Sequence, residues 1–335
     1  MNRYLIDLVG VEDEDGDYQA IGYQRYLWLR NIELPDDEAD AAVGLIVASG
    51  NIMDGAQPPG TIGGDSLAEL IREARRDDMV ESVVLRVDSG GGSAFASEVI
   101  RQELKLLQQE GKPLVISMGS MAASGGYWIA APADEIWATP TTLTGSIGIF
   151  GVFPTIDKTL AKLGINSDGV GTTDLAGAVQ IDRPLSPVAE RAIQSTLEHG
   201  YSSFLDVVAE GREMSKDQVE EIAQGRVWSG RDAQRLGLVD KLGGLEQAIA
   251  AAAALADLQD YEVRLIEQPM SPQEQLLKEL MGGEVVAMLL GNDRQRQVIS
   301  RLQNWMAPFS SSLKFLQSMN DPQGLYVHCT ACVAP

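Results

Sequence analysis

Basic residues, cysteine and histidine are all scarce in this sequence, and each scarcity removes a class of function. The 335 residues carry 26 Lys and Arg against 48 Asp and Glu, a formal net charge of −22. Such a balance repels phosphate backbones and anionic headgroups, which argues against nucleic acid as a partner and against a polybasic membrane patch. Two cysteines cannot staple a chain of this length, so a disulfide scaffold is excluded. Two runs lack charge, 113–133 and 136–156, but both are rich in Gly, Ser, Thr and Pro. Each reads as a buried strand followed by turn chemistry rather than as a membrane span. The first seven residues have no apolar signal-peptide core, and an acidic stretch follows at Glu12 to Asp17. What remains is ordinary for a folded protein: 44% apolar and 22% charged residues, in a length that suits one large domain or two smaller ones.

Strand and helix signals alternate along the first half. Val43 to Ser49 is an apolar run of strand length, and 54–64 is a Pro/Gly loop. Ser66-Leu-Ala-Glu69 reads as a capping box opening a helix with Leu67, Leu70, Ile71 and Ala74 on one face. Val83 to Val87 is a second buried strand, followed by Ser89-Gly90-Gly91-Gly92-Ser93 and a helix that faces Ala96, Ile100, Leu104 and Leu107 inward. Leu114 to Met118 is a third strand, and the small-residue segment from Ala122 continues as a helix. This alternation predicts right-handed crossovers and a mainly parallel, covered sheet. The second half is helical: Ile156 to Leu163, Pro187 to about Gly211, a helix capped by Ser215 and Gln218, Gly230 to Leu236 and Leu245 to Leu255. Glu262 to Ile266 is a late strand, and the pattern loosens from Pro269 onward.

Three Ser/Gly turns carry the candidate chemistry. Ser124, in Met121-Ala-Ala-Ser-Gly-Gly-Tyr-Trp128, follows a buried strand, where a strand-to-helix turn would lift its hydroxyl off the sheet end as nucleophilic catalysis requires. Alternatively, Ser124 is a small residue packed beneath a close helix crossing. The Gly90-Gly91-Gly92 run offers backbone N–H groups to a phosphate or an oxyanion, or is simply a sharp turn. Leu143-Thr-Gly-Ser146-Ile-Gly148 is the third turn, and the three together predict one cleft at the carboxyl edge of the sheet. A serine nucleophile needs a base. Neither His199 nor His328 sits in a recognisable motif, and both read as structural or exposed histidines. A Ser/His/Asp triad is therefore poorly supported, and a lysine with a burial-lowered pKa is the other option. Cys329-x-x-Cys332 reads as a tail disulfide or two free thiols, with a redox pair or a metal fragment as the other readings.

At Ala122-Ala-Ser124-Gly-Gly-Tyr-Trp128, with Ser89–Ser93 upstream and Leu143–Gly148 downstream, the sequence resembles the signal peptide peptidase A (protease IV) family. Gly225-Arg-Val-Trp-Ser-Gly230 and Gly237-Leu-Val-Asp240 extend the match. The resemblance implies an α/β, Clp protease/crotonase-like fold, a parallel sheet with ββα-type units and a helical second half. It implies Ser124 as nucleophile, Ser146 as the serine that positions the catalytic lysine, and the backbone N–H groups of Gly91, Gly92 and Ser124 as the oxyanion hole. No cofactor and no metal are implied.

Two departures from the family pattern stand out. Gly90 replaces a usual proline. The region where short members carry the lysine reads Gly171 to Arg183 without one, with Asp174 in the lysine's place; Lys158 and Lys162 read as solvated charges on a polar-faced helix. Tyr18-Gln-Ala-Ile-Gly-Tyr23 and the ending Asn320-Asp-Pro-Gln323…Cys329-Thr-Ala-Cys332 resemble the carboxyl half of a long, duplicated form. The resemblance then implies that a lysine-bearing amino-terminal half supplies the base from outside this chain. The implied organisation is a leader or linker over 1–42, a peptidase domain over 43–267 and a peripheral tail over 268–335. The implied activity is degradation of cleaved signal peptides, at the periplasmic face of a bacterial inner membrane, by a homo-oligomer. The alternatives are a non-catalytic subunit that completes another chain's site, or a crotonase-type acyl-CoA enzyme.

Overall fold

A computed structural model describes residues 41–173, 176–177, 180–268 and 319–329. The expectations for 1–40, Asp174, most of the 268–335 tail and Cys332 lie outside the described residues. Chain order begins with β1 (Ala42–Ser49), β2 (Ile52–Met53), β3 (Ile62–Gly63), α1 (Gly64–Arg76), β4 (Val80–Ser89) and β5 (Gly91–Ser93). It continues with α2 (Ala94–Gln109), β6 (Leu114–Ala123), α3 (Gly125–Ala130), β7 (Glu135–Ala138), β8 (Leu143–Gly145), β9 (Phe150–Gly151) and α4 (Asp157–Lys162). Then come α5 (Pro187–Gly211), α6 (Lys216–Ile222), β10 (Val227–Ser229), α7 (Gly230–Arg235), β11 (Lys241–Leu242), α8 (Leu245–Leu255), β12 (Glu262–Ile266) and β13 (Leu325–His328).

The main sheet has eight strands in the order β10-β8-β6-β4-β1-β12, with β7 and β11 branching from β6. Every pairing in it is parallel except β8 with β10. The mainly parallel α/β architecture with a helical second half is thus the observed one. Parallel strands must be covered on both faces. On one face Ile71 of α1, Ile100 and Leu104 of α2 and Phe204 of α5 pack on Leu85 and Ile116; on the other, Ala248 and Ala252 of α8 pack on Val43, Val84 and Val115.

β6 forks the sheet. Its first half, Val115–Ser117, pairs with β7, and its end, Met121–Ala123, pairs with β8. The strand therefore runs five residues past the expected Met118. Its polar, small-residue end is held by hydroxyls from the β8 segment: Thr142 Oγ1 donates to Gly119 O at 2.8 Å and Thr144 Oγ1 to Ala122 O at 2.6 Å.

Two other expectations are corrected. The helix expected to open at Ser66 begins at Gly64 with Gly63 as its N-cap and no side-chain cap. The Ser66 hydroxyl lies 3.4 Å from the carbonyl oxygens of Gln57 and Gly63 and is spent on that loop. The tail is not wholly peripheral: in the second, five-stranded sheet, β3-β2-β5-β13-β9, the strand β13 lies antiparallel to β5 on one side and β9 on the other. Leu325, Tyr326 and Val327 are buried there. The short β5 and β9 would otherwise present unpaired backbone along those edges, and the tail strand satisfies it.

Phe204 is fully buried and its ring centroid lies 4.6 Å from that of Trp128, on the helix that follows Ser124. Phe204→Ala should lower unfolding stability by about 3–5 kcal/mol. A urea titration that shows the midpoint unmoved would mean that α5 does not hold this face of the core.

Candidate active site

Parallel register delivers the three turns to one edge. Ser49 lies opposite Asp88, Ser89 opposite Ala122, and Ala123 opposite Gly145. The 90–92 turn, Ser124 and Ser146 consequently leave neighbouring strands at the same carboxyl end, the end at which parallel α/β sheets bind ligands.

Ser124 makes the passage from β6 to α3 in a single residue, at φ 55° and ψ −113°. Its N–H donates to Gly145 O at 2.8 Å, and its carbonyl accepts from Tyr127 N at 2.9 Å and Trp128 N at 2.8 Å. Behind it, the buried Tyr127 hydroxyl donates to Leu238 O at 2.8 Å; burial pushes this phenol up, so it stays a proton donor. Trp128 Nε1 donates to Glu98 Oε2 at 2.9 Å. Burial alone would raise the Glu98 carboxyl, but hydrogen bonds from Arg101, Gln102 and Trp128 outweigh it and hold the pKa below the ordinary value.

The Ser124 side chain differs from its backbone. The residue is 1% exposed, and Oγ has no hydrogen-bond partner among the described residues. A buried hydroxyl left in this state costs about 1–3 kcal/mol, so neighbouring packing rather than the hydroxyl itself sets its place. Ser146, in the adjoining turn, is also buried and also at positive φ, 49°, with its N–H donated to Arg226 O at 2.6 Å.

Two of the three expected oxyanion donors are already committed. Gly91 N–H donates to Ser89 Oγ at 3.1 Å, and Ser124 N–H goes to Gly145 as described. Gly92 lies inside β5, between Ile52 of β2 and Val327 of β13. Buried amides need acceptors, and this turn supplies them internally. The reading from sequence passed over Gly125. As first residue of α3 it has no acceptor within its helix, and it follows the serine directly, the position from which a nucleophile turn offers its amide. Gly125 and Gly91 are in close approach: a Cβ on Gly91, itself at φ 95°, would fall 2.5 Å from Gly125 N and 1.9 Å from Val327 O. Only glycine fits at that crossing.

No described lysine reaches Ser124 Oγ. Lys105 pairs with Glu210, Lys216 with Asp206, and Lys241 with Glu135. Lys112 donates to the carbonyls of Ala74 and Asp77, at the start of β6 and so at the opposite end of that strand from Ser124. Lys158 and Lys162 lie exposed on α4, a helix with no buried residue. His199 is exposed on α5. His328 is half-buried on β13, opposite Gly91. Cys329 is disulfide-bonded and packs on Ala123, with its N–H donated to Gly90 O at 2.7 Å; the chain's other cysteine is Cys332.

A strained serine thus sits at a strand-to-helix turn, flanked by a glycine turn on the neighbouring strand, and comparison with known proteins gives the chain's family. Residues 106–259 match the model of Peptidase family S49. Protease 4 of Salmonella typhi is 41% identical over 332 residues, covering 99% of this chain and 52% of that protein. A putative protease of Synechocystis is 35% identical over 205 residues, covering 61% of this chain and 72% of that protein. The chain belongs to Peptidase family S49. It spans about half the length of the Protease 4 relatives it matches. Among solved structures it is similar to ClpP1 from Listeria monocytogenes, with a TM-score of 0.41 and 12% identity over 61% of this chain and 94% of that one. No described helix is long and apolar enough to cross a membrane.

Burial holds the His328 pKa below its ordinary 6.5, partly opposed by a backbone hydrogen bond with Gly91. Between the folded value and 6.5 the unfolded chain binds the extra proton. The stability His328 contributes is therefore complete above that window and is lost as pH falls through it. Thermal midpoints measured from about pH 8 down to about pH 5 should fall less steeply for His328→Gln than for the parent chain. Identical slopes would show that this histidine does not charge on unfolding.

Proposed function

We propose that the chain carries the nucleophile of a serine endopeptidase whose base is supplied from outside it. The observation that carries this reading is Ser124: buried, held at a strained turn by its backbone, with a hydroxyl bound to no described side chain. In the proposed reaction Ser124 Oγ attacks a peptide carbonyl as the external base takes its proton. The oxyanion is stabilised by the Gly125 amide, with Gly92 of the adjoining turn as second donor, since the Gly91 amide is spent on Ser89 Oγ. The proton passes to the departing amine, and water then hydrolyses the acyl-enzyme by the same route. Ser146 would position the base, a lysine of an amino-terminal half of the duplicated architecture.

Cleaved signal peptides suit this site because their apolar segments need an apolar groove. A cleft of about 500 Å³ at the carboxyl end of β1, lined by Val47, Ile62, Leu67, Leu70 and Leu265 and not by Ser124 itself, offers an apolar surface along the same sheet edge. Within a longer protein the domain would act as part of a homo-oligomer at the periplasmic face of a bacterial inner membrane. The second reading, a non-catalytic subunit, is favoured by the committed amides of Gly91 and Ser124.

The two readings separate in one experiment. A fluorogenic peptide with an apolar run should be turned over slowly or not at all by this chain alone. Turnover should appear when a lysine-bearing amino-terminal half is added, and Ser124→Ala should abolish it. Turnover that survives Ser124→Ala, or none with the half bound, would overturn the proposal, and the second of these outcomes would support the non-catalytic subunit.

A further inference from the structure

We infer that Asp321 is a positioning residue for the glycine turn, clamping the far end of the chain to the strand and helix that follow Gly91 and Gly92. The inference rests on the proposed role of that turn and adds to it a residue from outside the main sheet.

The carboxylate is nearly closed off from solvent, at 8% exposure, and both of its oxygens are doubly used. Oδ2 accepts from Ser93 Oγ at 2.6 Å and from Phe95 N at 3.0 Å. Oδ1 accepts from Gln323 N at 2.8 Å and from Leu325 N at 3.1 Å. One face of the group thus holds the β5–α2 junction, and the other folds the tail into the turn that launches β13. The two faces join parts of the chain 226 and 228 residues apart in sequence.

The consequence for the site runs through Ser93. Its hydroxyl donates to Asp321 while accepting from Ala96 N at 3.1 Å, so the carboxylate fixes the hydroxyl that caps α2. A negative group at the start of this sixteen-residue helix also sits favourably in its dipole. The Ser93 carbonyl accepts from Ser97 Oγ at 2.8 Å, and Ser97 Oγ lies where it would be 2.7 Å from a Cβ on Gly125. β13, set in register by the same carboxylate, pairs Val327 with Gly92 and His328 with Gly91. Asp321 therefore restrains both neighbours of the glycine turn at once, the strand beside it and the helix after it. Misplacement of such a turn by about 1 Å can cost on the order of a hundredfold in rate.

Asparagine is the diagnostic replacement. Each Asp321 oxygen faces two donors, so an amide must set its NH2 against one pair of them in either orientation. In the full chain, Asp321→Asn should speed amide exchange at 93–96 and 325–328 by about tenfold or more while β1, β4 and β6 keep their protection. Unchanged exchange at 93–96, or an equal loss across the main sheet, would overturn the inference. In the mixture with the lysine-bearing half, kcat should fall about tenfold or more with KM within about twofold. A rise in KM at unchanged kcat would contradict it. Should Asp321→Asn fail to fold, Ser93→Ala removes one of the four donors and should show the same local exchange pattern more weakly. A parent mixture without Ser124-dependent turnover would count against the proposed function alone, and the exchange result would still decide the role of Asp321.

Discussion

At the end of β6 the chain turns from strand to helix on Ser124, in a backbone region that a side chain enters at a cost of about 1–3 kcal/mol. The hydrogen bond from its N–H to Gly145 O is where that cost is offset, because it extends the β6–β8 ladder by one residue past the strand. The remaining restraints are arranged around this bond. Thr142 and Thr144 hold β6 against the β8 segment, Tyr127 pins the following helix to Leu238, and Trp128 ties it to Glu98 on α2 and to Phe204 on α5. The turn is stiff because four separate segments over-determine it. The same bond has a chemical consequence: it spends the serine's own amide and leaves the next one, at Gly125, as the donor directed by the helix start.

Much of this was legible in the sequence because local signals and tertiary demands agreed. Buried runs at 43–49 and 83–87 became strands, and Ala96, Ile100, Leu104 and Leu107 became the inner face of a helix. Ser186-Pro187 and the Ser215/Gln218 box opened helices as read. Convergence of the three small-residue turns followed from parallel register alone. Misreadings fell where local signals were weak or ambiguous. The last residues of β6 lack an apolar run and depend on threonine hydroxyls from another segment. Ser66 has the chemistry of a cap but spends it on a neighbouring loop. β13 is only four residues long, and its pairing partners lie more than 170 positions away, so no window of sequence could reveal it. Amide commitments such as Gly91 to Ser89 are likewise set by packing rather than by residue type.

The site is asymmetric in what it supplies. It has a strained serine, a helix-start amide, a glycine turn and a tail strand paired beside that turn, whereas every described lysine is either tied to a partner away from the serine or exposed on α4. Under the proposed function the centre is completed by a base from outside this chain. The strained turn and its brace would then serve to hold a hydroxyl ready for a base that arrives with the partner.

Covalent trapping tests that claim most directly. A serine-directed fluorophosphonate, added to the chain with and without a lysine-bearing half, would be located by intact mass and then by peptide mapping. The account predicts a single adduct, on Ser124, formed much faster when the half is present. An adduct on Ser146 or any other serine, or labelling of Ser124 at the same rate in the isolated chain, would contradict it.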